Sequence, residues 1–238
     1  MMTDAPAYSY AFQPIVDIGL GQVVSYEALV RGQCGEAAFH VLQAVAPADR
    51  HLFDQQSRSR AIGIAAALGI DCDLNLNCLP QSLVASPTAL ASTVMAARKA
   101  GIALTRLVLE VTETELISDV GGFAKRLDQY RGQGLRVAID DFGAGFSGLN
   151  LLADFQPEQI KIDMHLVRGI ERHGPRQAIV RALIQACADL GIDVVAEGVE
   201  TEAEFDWFAR QGVDLFQGYL FARPGFECLP SAALPTAA

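Results

Sequence analysis

Cations are scarce in this chain. Lys and Arg number 18 against 28 Asp and Glu, a formal net charge of -10, whereas binding polymeric nucleic acid calls for gathered cations that displace counterions from phosphate. A polymer nucleic-acid binder is therefore not expected. A small phosphate ligand stays open if metal ions stand between its charge and the protein's carboxylates. Cysteine is sparse and irregular: Cys34, Cys72, Cys78, Cys187 and Cys228 form no C-x-x-C, so neither a thiolate zinc site nor a disulfide framework is expected. Long apolar runs are missing too. Nothing is long enough to cross a bilayer, and Met1-Met2-Thr3-Asp4-Ala5-Pro6 has no basic n-region or apolar h-region, so the expectation is a cytoplasmic protein with no membrane segment. No G-x-G-x-x-G follows a β-prone run, which argues against a dinucleotide-binding fold.

What remains is a chain of 238 residues, 51% hydrophobic, able to bury one large core. One domain over residues 8–228 is expected, with tails at 1–7 and 229–238. Tyr8 to Asp17 and Val23 to Arg31 are β-prone and joined across Gly19 and Gly21, so the chain opens with a hairpin. Pro14 restricts the first of these strands to an edge or terminal position. Residues 37–67 read as helical, with a break at Pro47-Ala48-Asp49. A unit then recurs: helix, glycine, short apolar strand, polar strand end. Gly69 leads to Leu74-Asn75, Gly101 to Leu107-Val108-Leu109-Glu110, Gly134 to Ala138-Ile139-Asp140, Gly191 to Val194-Val195-Ala196-Glu197 and Gly212 to Leu215-Phe216-Gln217. Gln159-Ile160-Lys161-Ile162-Asp163 is a further strand without that glycine. Ile179, Val180, Leu183, Ile184, Cys187 and Leu190 share one helix face, and Thr201 with Glu204 predicts a capping box. Strand and helix alternation with about eight strands predicts an α/β fold, a modified TIM-like (β/α)8 barrel whose first strand is antiparallel.

In such barrels the site lies at the C-terminal strand ends. Here those ends hold Glu27, Asn75, Glu110, Asp140 with Asp141, Lys161, Glu197 and Gln217. Burying neighbouring carboxylates is costly unless cations compensate, and divalent ions that one acid can bridge are suited to Asp140-Asp141. Taken alone, Asp-Asp before Phe142-Gly143 also fits an ordinary turn.

Tyr26-Glu27-Ala28-Leu29-Val30-Arg31, Glu110-Val111-Thr112-Glu113, Asp140-Asp141-Phe142-Gly143, Lys161-Ile162-Asp163, Glu197-Gly198-Val199-Glu200 and Gln217-Gly218-Tyr219 stand in order on consecutive expected strands. Together they resemble the EAL family of cyclic di-GMP phosphodiesterases, over about Tyr10 to Pro224. The resemblance implies a two-metal hydrolase that opens cyclic di-GMP to linear pGpG. By motif position, Glu27, Asn75, Glu110 and Asp140 would hold one Mg²⁺ or Mn²⁺, and Asp140, Asp141 and Glu197 the second; oxygen ligands suit these ions. Ca²⁺ is expected to bind and to inhibit.

The resemblance also implies roles for residues that carry little weight singly. Lys161 would orient water or offset phosphate charge, or else be a strand-edge lysine whose head reaches solvent. Arg31 matches a phosphate-contacting arginine, and Gln13 and Gln217 match positions near substrate and water. Glu113 matches a glutamate that steadies the loop after the aspartates, or is a first-turn helix acid. Glu200 would support substrate or that loop, or is likewise a helix acid. A homodimer through the loop and helix after Asp141 is implied, with Leu149, Leu151, Leu152 and Phe155 either in the contact or facing the core. Two positions depart from the usual pattern: Ala144 replaces a threonine and Asn77 a serine. The competing expectations are a catalytically inactive relative that binds cyclic di-GMP or a protein, and a metal-dependent barrel acting on an enolate.

Overall fold

A computed structural model describes residues 7–85, 89–112, 120–145 and 152–234. Its strands are β1 (Tyr8–Asp17), β2 (Gln22–Gly32), β3 (Asp73–Asn77), β4 (Leu107–Thr112), β5 (Arg136–Phe142), β6 (Gln159–Ile162), β7 (Asp193–Ala196), β8 (Leu215–Phe216) and β9 (Gly225–Phe226). β2 through β8 pair in sequence order and in parallel. β1 closes the ring, antiparallel to both β2 and β8, and the short β9 adds to β1. The barrel and its antiparallel first strand are as expected.

The helices α1 (Ala38–Ala44), α2 (Arg50–Ala67), α3 (Pro80–Ala85), α4 (Ala91–Ala100), α5 (Val120–Arg131), α6 (Met164–Val167), α7 (Gly174–Leu190) and α8 (Glu202–Arg210) join the strands. Buried apolar side chains of strands and helices form one core. Parallel strands covered by helices are buried on both faces, which is why β4 carries Leu107, Val108 and Leu109 without a polar alternate until Glu110. Gly69, Gly101, Gly134, Gly191 and Gly212 all have positive φ and turn the chain into the next strand. Thr201 and Glu204 make the capping box, each side chain accepting from the other end's backbone. No helix of the described residues is long and apolar enough to cross a membrane.

Two expectations need correction. Pro14 lies inside a closed barrel, not at an edge. The ladder opposite β2 is interrupted there, since β9 pairs with Ala11 and Phe12 while β8 pairs with Val16 and Asp17, so an imino acid falls in the gap. On α7, Val180, Leu183 and Cys187 are buried, but Ile179 and Leu190 are 59% and 42% exposed; at 100° per residue both fall on the flank of the buried stripe. The stretch from residue 229 begins as part of the barrel's packing. Tyr26 Oη donates to Pro230 O at 2.9 Å, and Ala233 N to Phe221 O at 2.9 Å.

Gly218 shows how tightly the strand ends are joined. A Cβ built there would lie 2.0 Å from Val199 O and 2.4 Å from Val199 N, because Val199 N donates to Gln217 O and Leu220 N to Val199 O. Gly218→Ala is expected to cost about 1–3 kcal/mol by overpacking against rigid backbone, read as a lower urea midpoint.

Candidate active site

Side chains alternate across a strand, so residues two apart share a face. Ser25 and Glu27 on β2, Asn75 and Asn77 on β3, and Glu110 on β4 are brought to one face by register: Glu27 is opposite Asn75, and Asn77 opposite Glu110. Lys161 on β6 projects into the same space and is fully buried. Its Nζ meets Glu27 Oε2 at 2.9 Å, Asp140 Oδ1 at 3.0 Å, Glu110 Oε1 at 3.2 Å and Glu197 Oε2 at 3.5 Å. The ammonium is thus central to the acids, and the alternative of a lysine reaching solvent is ruled out.

Asp140 and Asp141 are neighbours, and strict alternation would point them to opposite faces. Asp141 departs from it with a φ of 52°, beside a register irregularity between Ile139 and Phe142. Left-handed backbone is uncommon outside glycine but is tolerated by aspartate. The result is that oxygens of Asp140, Asp141 and Glu197 lie within 4.8 Å of one another, as do oxygens of Glu27, Glu110 and Asp140. Asp140 belongs to both groups.

Amides hold the acids in place. Gln217 Nε2 donates to Glu27 Oε2 at 2.7 Å and to Gln13 Oε1 at 3.3 Å, while Gln13 Nε2 donates to Ala222 O at 3.1 Å. Asn75 Nδ2 donates to Glu110 Oε1 at 2.9 Å, and its Oδ1 accepts from Ser25 Oγ, leaving one lone pair on that oxygen. Asn77 Nδ2 donates to Glu27 Oε1 at 3.3 Å. Ser25 and the function of Asn77 were not anticipated, although each lies two residues from a predicted ligand and so on its face.

The electrostatics are unbalanced. Among the described residues, five carboxylates (Glu27, Glu110, Asp140, Asp141 and Glu197) surround one ammonium, leaving four negative charges when all are ionised. Among the described residues, no hydrogen-bond donor sits on Glu110 Oε2, and Asp140 Oδ1 and Glu197 Oε2 meet the ammonium off the hydrogen-bonding direction. Burial, with Glu27 and Asp140 nearby, raises the Glu110 pKa well above the usual range against the pull of Lys161. Burial likewise raises Glu197, aided by Asp140 and Glu27. Asp141 is raised to about 6 by burial, Asp140 and Asp163. Burial acts upward on Asp140 as well, but the charge of the adjacent Lys161 ammonium outweighs it and holds Asp140 low. For Lys161 burial acts downward and is outweighed by Asp140, Glu110, Glu197 and Glu27, which keep it protonated.

Raised carboxylates retain protons that a bound cation must expel. Dication affinity is therefore expected to rise with pH as Asp141, raised to about 6, and the raised Glu110 and Glu197 ionise. The linkage has the same sense: with folded values above unfolded ones, these acids lose stability as pH rises, so the metal-free fold becomes more dependent on a cation. The Mn²⁺-induced rise in Tm should be larger at pH 8 than at pH 5.5; an equal rise at both would contradict this.

A cavity of about 460 Å³ opens over the cluster, lined by Glu27, Glu110, Asp140, Asp141, Glu197, Asn77 and Arg31 and extending past Leu42 and Phe53. Arg31 borders it but donates Nη1 to Val30 O at 2.8 Å, away from the acids. Glu200 stands apart, paired with Arg168 at 2.8 Å. Glu113, Leu149 and Leu151 lie outside the described residues, while Leu152 and Phe155 are core residues of this chain.

The model of the EAL domain matches residues 4–224. The blue light- and temperature-regulated antirepressor BluF of Escherichia coli is 36% identical over 227 residues, 95% of this chain and 56% of that protein. The cyclic di-GMP phosphodiesterase PA2567 of Pseudomonas aeruginosa is 32% identical, over 91% of this chain and 38% of that protein. The chain thus spans little more than half of these relatives at most. Among solved structures, a manganese and cyclic di-GMP complex of Klebsiella pneumoniae BlrP1 superimposes with a TM-score of 0.93 at 40% identity, covering 100% of this chain and 61% of that one.

Proposed function

The chain belongs to the EAL domain family, and from that premise we propose that it hydrolyses cyclic di-GMP to linear pGpG using two divalent ions, lowering a bacterial second messenger. The observation that carries this reading is the imbalance of five carboxylates against the Lys161 ammonium. Buried carboxylates without compensating charge are costly, and two dications bring the four positive charges that the cluster lacks. All donors are oxygens, which suits Mg²⁺ or Mn²⁺.

Glu27, Asn75, Glu110 and Asp140 would hold one ion, and Asp140, Asp141 and Glu197 the other. Bound there, the pair would supply Lewis-acid stabilisation of charge on the phosphodiester and make water more acidic. The protein's own groups do the rest. Asn77 fixes one Glu27 oxygen while Gln217 and Lys161 fix the other, so this acid cannot rotate away. Lys161 is a compact positive charge beside the place where negative charge accumulates. Arg31 borders the cavity, where a turn of its side chain would bring a planar donor fork to a phosphate. Gln13 and Gln217 are joined by a hydrogen bond, and this amide pair would face the substrate; Glu200 would support the substrate or the loop after the aspartates. Water adds to phosphorus, the bond to the 3′ oxygen breaks, and that oxygen takes a proton, giving a linear 5′-phosphorylated dinucleotide.

A second reading is favoured by BluF, whose name describes an antirepressor: a domain that acts by binding a partner without turnover. The complete set of acids and the lysine supports the enzyme instead. Incubation with cyclic di-GMP separates the two. Linear product with Mn²⁺ or Mg²⁺ and little with Ca²⁺, whose looser coordination positions water poorly, is expected; binding with no product under any metal would establish the second reading. A homodimer through the segment after Asp141 belongs to this proposal, but Leu152 and Phe155 are committed to the core, so its contacts would come from other residues.

A further inference from the structure

We propose that Lys161 is the resident counter-ion of the metal-free site, holding its carboxylates together and competing with dications for the same oxygens. The inference rests on the metal reading above and adds a device that sets how readily the site loads. Lys161 rises from β6 into a space ringed by acids from β2, β4, β5 and the end of β7, and contacts Glu27, Glu110, Asp140 and Glu197 at 2.9–3.5 Å with no exposure to solvent. It touches every member of the first oxygen group and two of the three in the second.

An ammonium has three donors and here faces four carboxylates. Asp140 Oδ1 and Glu197 Oε2 receive its charge without a hydrogen bond. Without that charge the acids would repel one another across the barrel mouth. A dication entering either group must take lone pairs from carboxylates already engaged by Lys161, so ammonium and metal oppose each other in affinity while substituting for each other in stability.

The test compares metal-stripped wild type with Lys161→Met, which keeps the length and removes the charge, by calorimetric titration with Mn²⁺ and by thermal denaturation. The expected result is a lower metal-free Tm for Lys161→Met, Mn²⁺ binding at least ten-fold tighter, and a Tm gap that narrows once Mn²⁺ saturates both proteins. Tighter binding is not what general damage to the site would produce. Should wild type bind Mn²⁺ and the variant bind it equally or more weakly, the counter-ion role is overturned. Should wild type bind no Mn²⁺, the metal reading itself falls. If Lys161→Met does not fold without metal, Lys161→Met/Glu110→Gln is compared with Glu110→Gln alone, a pair that removes one charge of each sign. The same ten-fold gain is expected there, and its absence overturns the proposal.

Discussion

Asp140→Asn is expected to reduce hydrolysis of cyclic di-GMP by roughly 10³-fold or more while leaving the fold intact. Replacing a group that only supports a metal ligand typically costs about 10–100-fold, and Asp140 is the one acid common to both oxygen groups. Asparagine preserves the shape and one carbonyl oxygen but removes the charge that a bridging position requires. It also removes the negative charge that lies 3.0 Å from the Lys161 ammonium. Mn²⁺ binding measured by calorimetry should fall with activity, and far-ultraviolet circular dichroism should be unchanged. Activity within ten-fold of wild type in saturating Mn²⁺ would remove Asp140 from the metal site.

The largest expected loss of stability lies away from the acids, at Arg58. Asp54 and Arg58 on α2 form a buried ion pair. Arg58 also donates Nε to Thr93 Oγ1 at 3.1 Å and Nη2 to Ala89 O at 3.3 Å, while Asp54 accepts from Leu79 N at 3.1 Å. The pair therefore ties α2 to the segment that follows β3 and to the start of α4. Removing one partner of a buried pair leaves an uncompensated charge and costs about 3–5 kcal/mol. Arg58→Met should show that loss in guanidinium denaturation. Asp54→Leu/Arg58→Met should recover part of it, since no buried charge is left alone. A single variant within about 1 kcal/mol of wild type would show that the pair is not needed.

Much of the fold was legible because its signals are local. Glycine before each apolar run, the Thr201 and Glu204 cap, and the hairpin of β1 and β2 each follow from a few adjacent residues. β9 was missed because Gly225–Phe226 is two residues long and carries no period. Pro14 misled because the rule against proline inside sheets assumes a continuous ladder, and the gap between β8 and β9 is a tertiary fact. The flank positions Ile179 and Leu190 show the same limit: a face read from spacing is wider than the stripe that packing covers.

For the site, the strand-end acids were visible as residue types, but their relations were not. That Lys161 lies among the acids instead of reaching solvent depends on registers between five strands. Asp141 joins the cluster through a backbone angle that no adjacent residue announces. Ser25 and Asn77 could have been found by extending the period of two from Glu27 and Asn75. The ion pair of Glu200 with Arg168 likewise joins residues far apart in the chain, a relation that residue type and local spacing do not carry.

Soaking crystals in Mn²⁺ and measuring anomalous scattering addresses the charge imbalance most directly. The expected map has two peaks, one among Glu27, Asn75, Glu110 and Asp140 and one among Asp140, Asp141 and Glu197. A map with no peak at these oxygens, from a crystal that holds Mn²⁺ elsewhere, would contradict the account.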